Sequence, residues 1–447
     1  MVTRPGRPPL RNATVEIRDG HVVGVRPASA DDDVPVHDVL LPGFIDAHSH
    51  ARALPVSAHG ISGSGPLERY IVELRALTPL SARDEALVAG ADGLATGITT
   101  TQVIHHTFDG PSSYADTACA TADGYAAAGA RAAIALTITD QNEYAPAEIA
   151  EVTLRRGVDP RAFARLVESL AGLSHGDGRV TIEGVGPVGP QWCSDLALAA
   201  IARVSAGRRV HCHLLETRRQ GQMPGGDPLA RLEAAGLLNA RTSVAHGIWL
   251  TQPQVSRLAR AGAVVVHCPG SNQRLGVGHC PVRAHLTAGI PVALGLDSHG
   301  AAEPPDVFAE MRAALAEGEA TGGPLSADEV LALATVGGAR ALCRNDLGVL
   351  EPGAQGDVVA LELATAIDAS DPIAEIVERA TRDSVAAVWV AGAAAPPAPE
   401  ADDARTRLRA QLDADSHARR RRVEEVTALA TRVEAAWQCW EGRLPAQ

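Results

Sequence analysis

Eight short segments of β character, each followed by a stretch of helical periodicity, predict an α/β protein built on a (β/α)8 TIM-type barrel. Two further observations complete that expectation. Short strand patterns at both chain ends predict a small β-sandwich domain, and histidines gather where the barrel strands should end. The eight segments are Gly43–His48, Ile98–His105, Arg131–Thr139, Arg179–Val185, Arg209–Leu215, Thr242–His246, Ala263–His267 and Pro291–Asp297. Ala/Leu/Arg/Glu-rich helices such as Asp84–Ala95 and Asp195–Val204 separate them. Right-handed crossovers leave each strand beside its predecessor, so the set should close into a parallel barrel. A doubly wound open sheet is the competing architecture, but no G-x-G-x-x-G follows the first strand.

The flanks read differently. Thr14–Arg18 and His21–Arg26 alternate in polarity about Asp19-Gly20, a strong hairpin signal. A further strand is expected at Asp38–Leu41, and others at Gly356–Leu363 and Ser384–Val390. Residues 1–41 with 350–393 should therefore form the sandwich and 42–349 the barrel. The Ala/Pro-rich stretch 394–404 reads as a linker, and 405–447 as a C-terminal helical extension. The Arg419–Arg422 run fits a solvated helix face, with a nucleic-acid patch as the alternative. Trp437 and Trp440, three residues apart, should pack that helix onto the barrel.

Composition narrows the function. The chain has 447 residues, 46% hydrophobic and 21% charged, with a formal charge of −13. That balance argues against a nucleic-acid partner. No apolar run is long enough to span a membrane. Met1–Pro9 lacks the apolar core of a signal peptide. Seven scattered cysteines without a C-x-x-C pair fit reduced thiols and a cytoplasmic location. Lysine is absent, all forty basic residues being arginine. This excludes Schiff-base chemistry, a lysine general base and a metal pair bridged by carbamylated lysine.

In a barrel of this kind, active-site groups sit at the C-terminal ends of the strands. His48 and His50 end the first strand, His105 and His106 the second, His213 the fifth, His246 the sixth and His267 the seventh, while Asp297 ends the eighth. Strand periodicity turns His48 and His50 to one face. Imidazole and carboxylate are the usual ligands of zinc and of non-haem iron. His48, His50, His213 and Asp297 form a candidate metal set.

The motifs GFIDAHSH, HCHLLET, SVAHG, HCPGSN and ALGLDSHG resemble the amidohydrolase superfamily. The resemblance is to the branch of cytosine, guanine and S-adenosylhomocysteine deaminases and chlorotriazine hydrolases. It runs from about Asn12 to Val390, including ATVGGARAL and LEPGAQGDVV. It implies that His48, His50, His213 and Asp297 bind one divalent ion, zinc or alternatively iron. His211, two residues before His213, is either another ligand or a packed core histidine. The fourth strand ends Gly184-Val185-Gly186-Pro187 with Glu183 set back, which fits a mononuclear site.

The expected chemistry follows. A divalent ion lowers the pKa of bound water towards ~7 and generates hydroxide. Asp297 would accept its proton, Glu216 would protonate a ring nitrogen and then the leaving amine, and His246 would polarise the electrophile or anchor water. The expected reaction is hydrolytic deamination of a cyclic or conjugated amidine, an amino-substituted nitrogen heterocycle. The alternative is cleavage of a non-peptide amide, or of a C–Cl or C–N-alkyl bond on a heterocycle, at the same site. Candidate substrate contacts are His59, Gln102, His105, His106, Asn142, Trp192, Arg218, Gln220, His267 and His299. His299-Gly300-Ala301-Ala302 stands where relatives often carry a serine–asparagine pair, so no named substrate is carried over. The expected partner is a small molecule, with no nucleic acid and no membrane, and the expected assembly is a homodimer.

Overall fold

The computed structural model describes residues 1–106, 111–140, 159–170, 172–223, 226–297, 305–363, 370–396 and 399–441. At its N-terminal end β1 (Ala13–Arg18) and β2 (His21–Pro27) pair antiparallel. Their turn places Asp19 and Gly20 at φ 49° and 79°, the left-handed pair that a two-residue hairpin requires. After β3 (Val39–Pro42), the chain enters the barrel.

The barrel strands are β4 (Phe44–Ser49), β5 (Ile98–His105), β6 (Arg131–Ile138), β8 (Val180–Pro187), β9 (Arg209–Leu214), β10 (Thr242–His246), β11 (Val264–His267) and β12 (Val292–Leu294). A two-residue strap, β7 (Ser174–His175), runs antiparallel on β8. Strand order follows sequence order, every barrel pairing is parallel, and each predicted segment lies on its strand. Helices cover the outer face, so the strands are buried on both sides and read as near-continuous apolar runs; all of β6 (RAAIALTI) is buried. At Gly186 an added Cβ would stand 2.0 Å from the His211 carbonyl oxygen, so only glycine lets β8 and β9 approach this closely.

Closure occurs between first and last strands. The Asp297 amide donates to the His48 carbonyl at 2.8 Å, and Ser49 bridges Asp297 in parallel. Asp46 Oδ1 accepts from the amides of His48 (3.1 Å) and Leu296 (2.9 Å), joining the same two strands through a side chain.

The remaining strands, β13 (Val358–Leu361), β14 (Val385–Val390) and β15 (Ala393–Ala394), form an antiparallel sheet with β3 in the order β15-β14-β13-β3. The β1–β2 hairpin packs on it through Val22, Leu350 and Val358, with Val15, Ile17 and Trp389 around them. Both chain ends thus contribute to one apolar layer.

The expected linker needs correction. A helix starts at Pro399 and runs to Ala414, inside the 394–404 stretch, and Ser416–Glu441 follows. Proline suits a first helical turn, where its missing N–H leaves no bond unmade. Ala401, Ala404, Leu408 and Leu412 are buried by that helix, against Ala82–Leu94. Small residues here serve close packing, not looseness.

The barrel floor is joined to the small sheets by one buried ion pair. Arg131 donates to Asp357 through Nε (3.2 Å) and Nη2 (3.1 Å), and to Gln355 Oε1 (2.9 Å). The two side chains are 8% and 3% exposed. Asp357 Oδ1 also accepts from the Ala391 amide at 2.7 Å. Asp357→Ala leaves a buried guanidinium without its counter-charge and is expected to cost about 3–5 kcal/mol, read as a lowered urea midpoint.

Candidate metal centre and active site

The strand ends bring the chemistry to one rim. His48, His213 and His246 are buried, and His50 is nearly so. His50 Nε2 lies 3.0 Å from Asp297 Oδ1, and His48 Nε2 lies 3.5 Å from it. His213 Nε2 stands 3.4 Å from His50 Nε2. The ligand-capable atoms of His48, His50 and His213 lie within 4.8 Å of one another, as do those of His48, His246 and Asp297.

Each of these rings has its other nitrogen occupied. His213 Nδ1 donates to the Val188 carbonyl (2.7 Å), which leaves Nε2 as a lone pair facing the centre. His48 Nδ1 meets His211 Nε2 at 2.8 Å, and His50 Nδ1 meets His106 Nε2 at 2.9 Å. His246 Nδ1 meets Asn272 Oδ1 at 2.9 Å. His48 Nε2 and His246 Nε2 are buried without a hydrogen-bond partner. Convergent lone pairs, orphaned buried nitrogens and an adjacent carboxylate are the donor set of a divalent cation, and the residues present fit one.

Electrostatics support that reading. Burial pushes His48 from an ordinary 6.5 down to about 4 and lowers His50, His213 and His246 as well, so neutral imidazoles face the centre. Burial alone would raise Asp297, but the His48 and His50 rings hold it well below the ordinary carboxylate range. Ser271 Oγ donates to its other oxygen at 2.5 Å. Glu216 goes the opposite way: burial, then the charges of Asp297 and Glu68, push its carboxyl far up. The two carboxyls are thus pushed in opposite directions, Asp297 towards its ionised form and Glu216 towards its protonated one. Glu216 Oε2 lies 3.6 Å from His246 Nε2.

Strain marks the same rim. Leu215, His246 and Asp297 all adopt positive φ (48°, 72° and 60°), a conformation costing about 1–3 kcal/mol for a non-glycine residue. It turns the chain sharply where each strand gives way to its loop.

Other sequence-based expectations divide. His211 lies a layer below the centre, fixed between His48 and Ser243 Oγ (2.8 Å), and so orients a ring. Gln102 lies at that lower level too, donating to the Ala47 carbonyl at 2.8 Å. His106 reaches the site, but His105 turns outward against Tyr114 with ring centroids 4.8 Å apart. Alternation along the strand forces the two apart. Trp192 is buried among Val72, Val188, Met223 and Trp437, under the C-terminal helix. Arg218 is exposed and stacks on Trp249, 4.1 Å from the ring centroid. Gln220 Oε1 accepts from the Glu216 amide (2.9 Å), and His59 accepts from the Thr78 amide (3.1 Å). His267 is buried with neither ring nitrogen hydrogen-bonded. Asn142 and His299 lie outside the described residues.

Ser271, Asn272 and Glu68 were not singled out from the sequence. The first two occupy the HCPGSN motif, where polar residues just beyond a barrel strand were a usable signal. Glu68 comes from a helix distant in sequence, and its approach is a tertiary fact.

A (β/α)8 barrel with a histidine–aspartate centre on its C-terminal rim defines a class of metal-dependent hydrolases. The amidohydrolase family model matches residues 39–395, and the chain belongs to that family, as a hydrolase acting on carbon–nitrogen bonds. It is 32% identical over 375 residues to a 5-methylthioadenosine/S-adenosylhomocysteine deaminase of Teredinibacter turnerae, covering 79% of each chain. It is 29% identical over 402 residues to an 8-oxoguanine deaminase of Pseudomonas aeruginosa, covering 83% of this chain and 88% of that one. The crystal structure of an adenosine deaminase from Xanthomonas campestris with bound zinc is similar at a TM-score of 0.73 and 27% identity, covering 93% of this chain and 94% of that one. Atrazine chlorohydrolase from Arthrobacter aurescens shares the fold at a TM-score of 0.74 and 24% identity, covering 90% and 96%.

Three histidines outside the metal cluster give a pH expectation. Burial lowers His59 and His105 to about 4 and His267 to about 3, from an ordinary 6.5. Below 6.5 the unfolded chain binds protons that the native chain refuses, so this stability is full above that pH and drains as pH falls through 4 for His59 and His105 and towards 3 for His267. Urea midpoints should drop over that window, and His267→Leu should make the drop shallower.

Proposed function

We propose that this protein deaminates an amino-substituted nitrogen heterocycle hydrolytically, with His48, His50, His213 and Asp297 holding one zinc ion. The observation that carries the proposal is Glu216: buried, facing His246 Nε2 at 3.6 Å, and with its carboxyl pushed upward by burial while that of Asp297 is held low. An amidine-type ring accepts attack at the amino-bearing carbon only when its ring nitrogen takes up a proton, and Glu216 is the group poised to give one.

When bound, a divalent ion lowers the pKa of water and supplies hydroxide at neutral pH. The chain's own residues do the rest. Asp297, oriented by Ser271, accepts the proton that water loses. Glu216 protonates the ring nitrogen, takes the proton of the newly added hydroxyl as the carbonyl forms, and delivers it to the departing amine as ammonia; the proton held on Asp297 then returns to Glu216 and restores both carboxyls. His246, fixed through Nδ1 by Asn272, presents Nε2 to the reacting carbon's new oxygen. A single ion is favoured because lysine is absent and Glu183 is engaged at the far end of the barrel, 3.2 Å from Arg209. Zinc is favoured by the ligand chemistry and by the zinc in the Xanthomonas campestris enzyme.

We propose further that it acts on a small molecule as a cytoplasmic homodimer. Seven free cysteines support the location. No described helix is long and apolar enough to cross a membrane. Sedimentation should give twice the 46.3 kDa chain mass.

The test is ammonia release from aminopurines, aminopyrimidines, aminotriazines and pterins, beside metal analysis. One ion per chain and stoichiometric ammonia from a heterocycle are expected. Chloride, or a carboxylic acid with an amine, and no ammonia from any heterocycle would overturn the deaminase reading. His213→Ala should lose metal and activity together. Glu216→Gln should keep its metal and lose about 10²–10⁴ in kcat, the usual share of a positioned acid–base group.

A further inference from the structure

The loop that carries Glu216 is clamped by a part of the chain outside the family match, which ends at residue 395. Past Glu216, Thr217 Oγ1 donates to Glu68 Oε1 at 2.6 Å, and Gln220 returns to cap the Glu216 amide. Arg219 lies between three carboxylates. It meets Glu434 through Nη1 (2.8 Å) and Nη2 (3.0 Å), Glu441 through Nε (2.9 Å) and Nη2 (3.1 Å), and Glu68 through Nη1 (3.3 Å). Its guanidinium also stands 5.2 Å from the Trp437 ring centroid. Glu434, Trp437 and Glu441 all belong to the helix Ser416–Glu441. Their spacings of three and four residues put them on one helix face.

The same helix reaches a metal-site histidine by a second route. Trp437, Val433 and Ala430 pack against Val72, Val188, Trp192 and Met223. Val188 is the residue whose carbonyl fixes His213, and Met223 closes the turn after Arg219. The helix is anchored at its start as well. Thr78 Oγ1 donates to Asp415 at 2.8 Å and Arg422 pairs with Asp415, while in the preceding helix Arg407 holds Asp84 at 2.6 and 2.9 Å.

From this geometry we propose that the C-terminal extension is a catalytic brace, and that Arg219, Glu434 and Glu441 are positioning residues that hold the Glu216 loop in its working conformation. Arg219 is only 11% exposed and Glu434 14%, so that forked pair is shielded from water and geometrically specific, while Glu441, 41% exposed, closes it on the solvent side. Two bidentate pairs to one guanidinium restrain rotation of the 217–220 segment more tightly than a point charge could. The Arg219 clamp, unlike the packing on Val188, reaches the substrate only through Glu216, so the inference rests on the deaminase reading for its kinetic part and on loop geometry for the rest.

The test uses the full chain carrying Glu434→Gln and Glu441→Gln together, which preserves shape and leaves Arg219 its bond to Glu68. Amide hydrogen exchange across residues 216–222 should accelerate, bound metal should stay at the wild-type level, and kcat should fall about 10- to 100-fold, with KM changed far less. In a Glu216→Gln background the same pair should cause no further loss, because the brace acts through that carboxyl. Unchanged exchange, unchanged kcat, metal loss, or an equal fall in both backgrounds would each overturn the proposal. Failure of the deaminase reading is distinguishable, since it shows as a wild-type rate in Glu216→Gln alone.

Discussion

The junction of first and last barrel strands is the constraint on which the site depends. A parallel sheet has two edges, and here each edge satisfies the other: the Asp297 amide reaches the His48 carbonyl, and Asp46 holds amides from both strands. An unpaired edge would leave buried polar groups unsatisfied, at a cost of about 1–3 kcal/mol each. Closing the ring also fixes the distance between the His48 and His50 imidazoles and the Asp297 carboxylate. The geometry of the centre is therefore tied to the backbone pairing that closes the barrel, as well as to the contacts of Asp297 with His48 and His50.

Around that junction, polar groups are arranged in depth. Each inward imidazole is held from behind: His48 by His211, which rests on Ser243; His213 by the Val188 carbonyl; His246 by Asn272. Such backing sets which ring nitrogen carries the proton and which offers its lone pair, a choice that no ligand makes alone. Burial then lowers the imidazoles and raises Glu216, while the His48 and His50 rings hold Asp297 low. The left-handed turns at Leu215, His246 and Asp297 are the conformational counterpart, spending stability at the rim that packing below restores.

Much of this was legible in the sequence because period-two alternation is a direct physical code. Segments of β character alternating with helical stretches gave the eight strands in their order, and period two set His48 and His50 on one face. The same code, applied one residue further, separates His105 from His106, and only the second reaches the site. Trp192 was less accessible to such reasoning. It sits in a short turn beyond a strand, where side-chain direction follows from loop geometry and not from periodicity. The segment 394–404 misled for a different reason: alanine and proline signal looseness by composition, yet both suit the first turn of a helix packed closely on its neighbour. Glu68 and Glu434 approach Arg219 from distant parts of the chain, and no local pattern marks them.

The long reach of the barrel junction has a consequence for biosynthesis. Asp46 and Leu296 are bonded across 250 residues of chain. During synthesis the first strand must wait, its edge unpaired, until the eighth has left the ribosome. Contacts so distant in sequence close slowly and late. The histidines of β4 and β9 exist earlier, but the carboxylate that completes them arrives with β12. A nascent chain therefore offers an incomplete and weakly holding set of donors for most of its synthesis. With the proposed ligand set, acquisition of metal would be coupled to ring closure and would fall late in maturation.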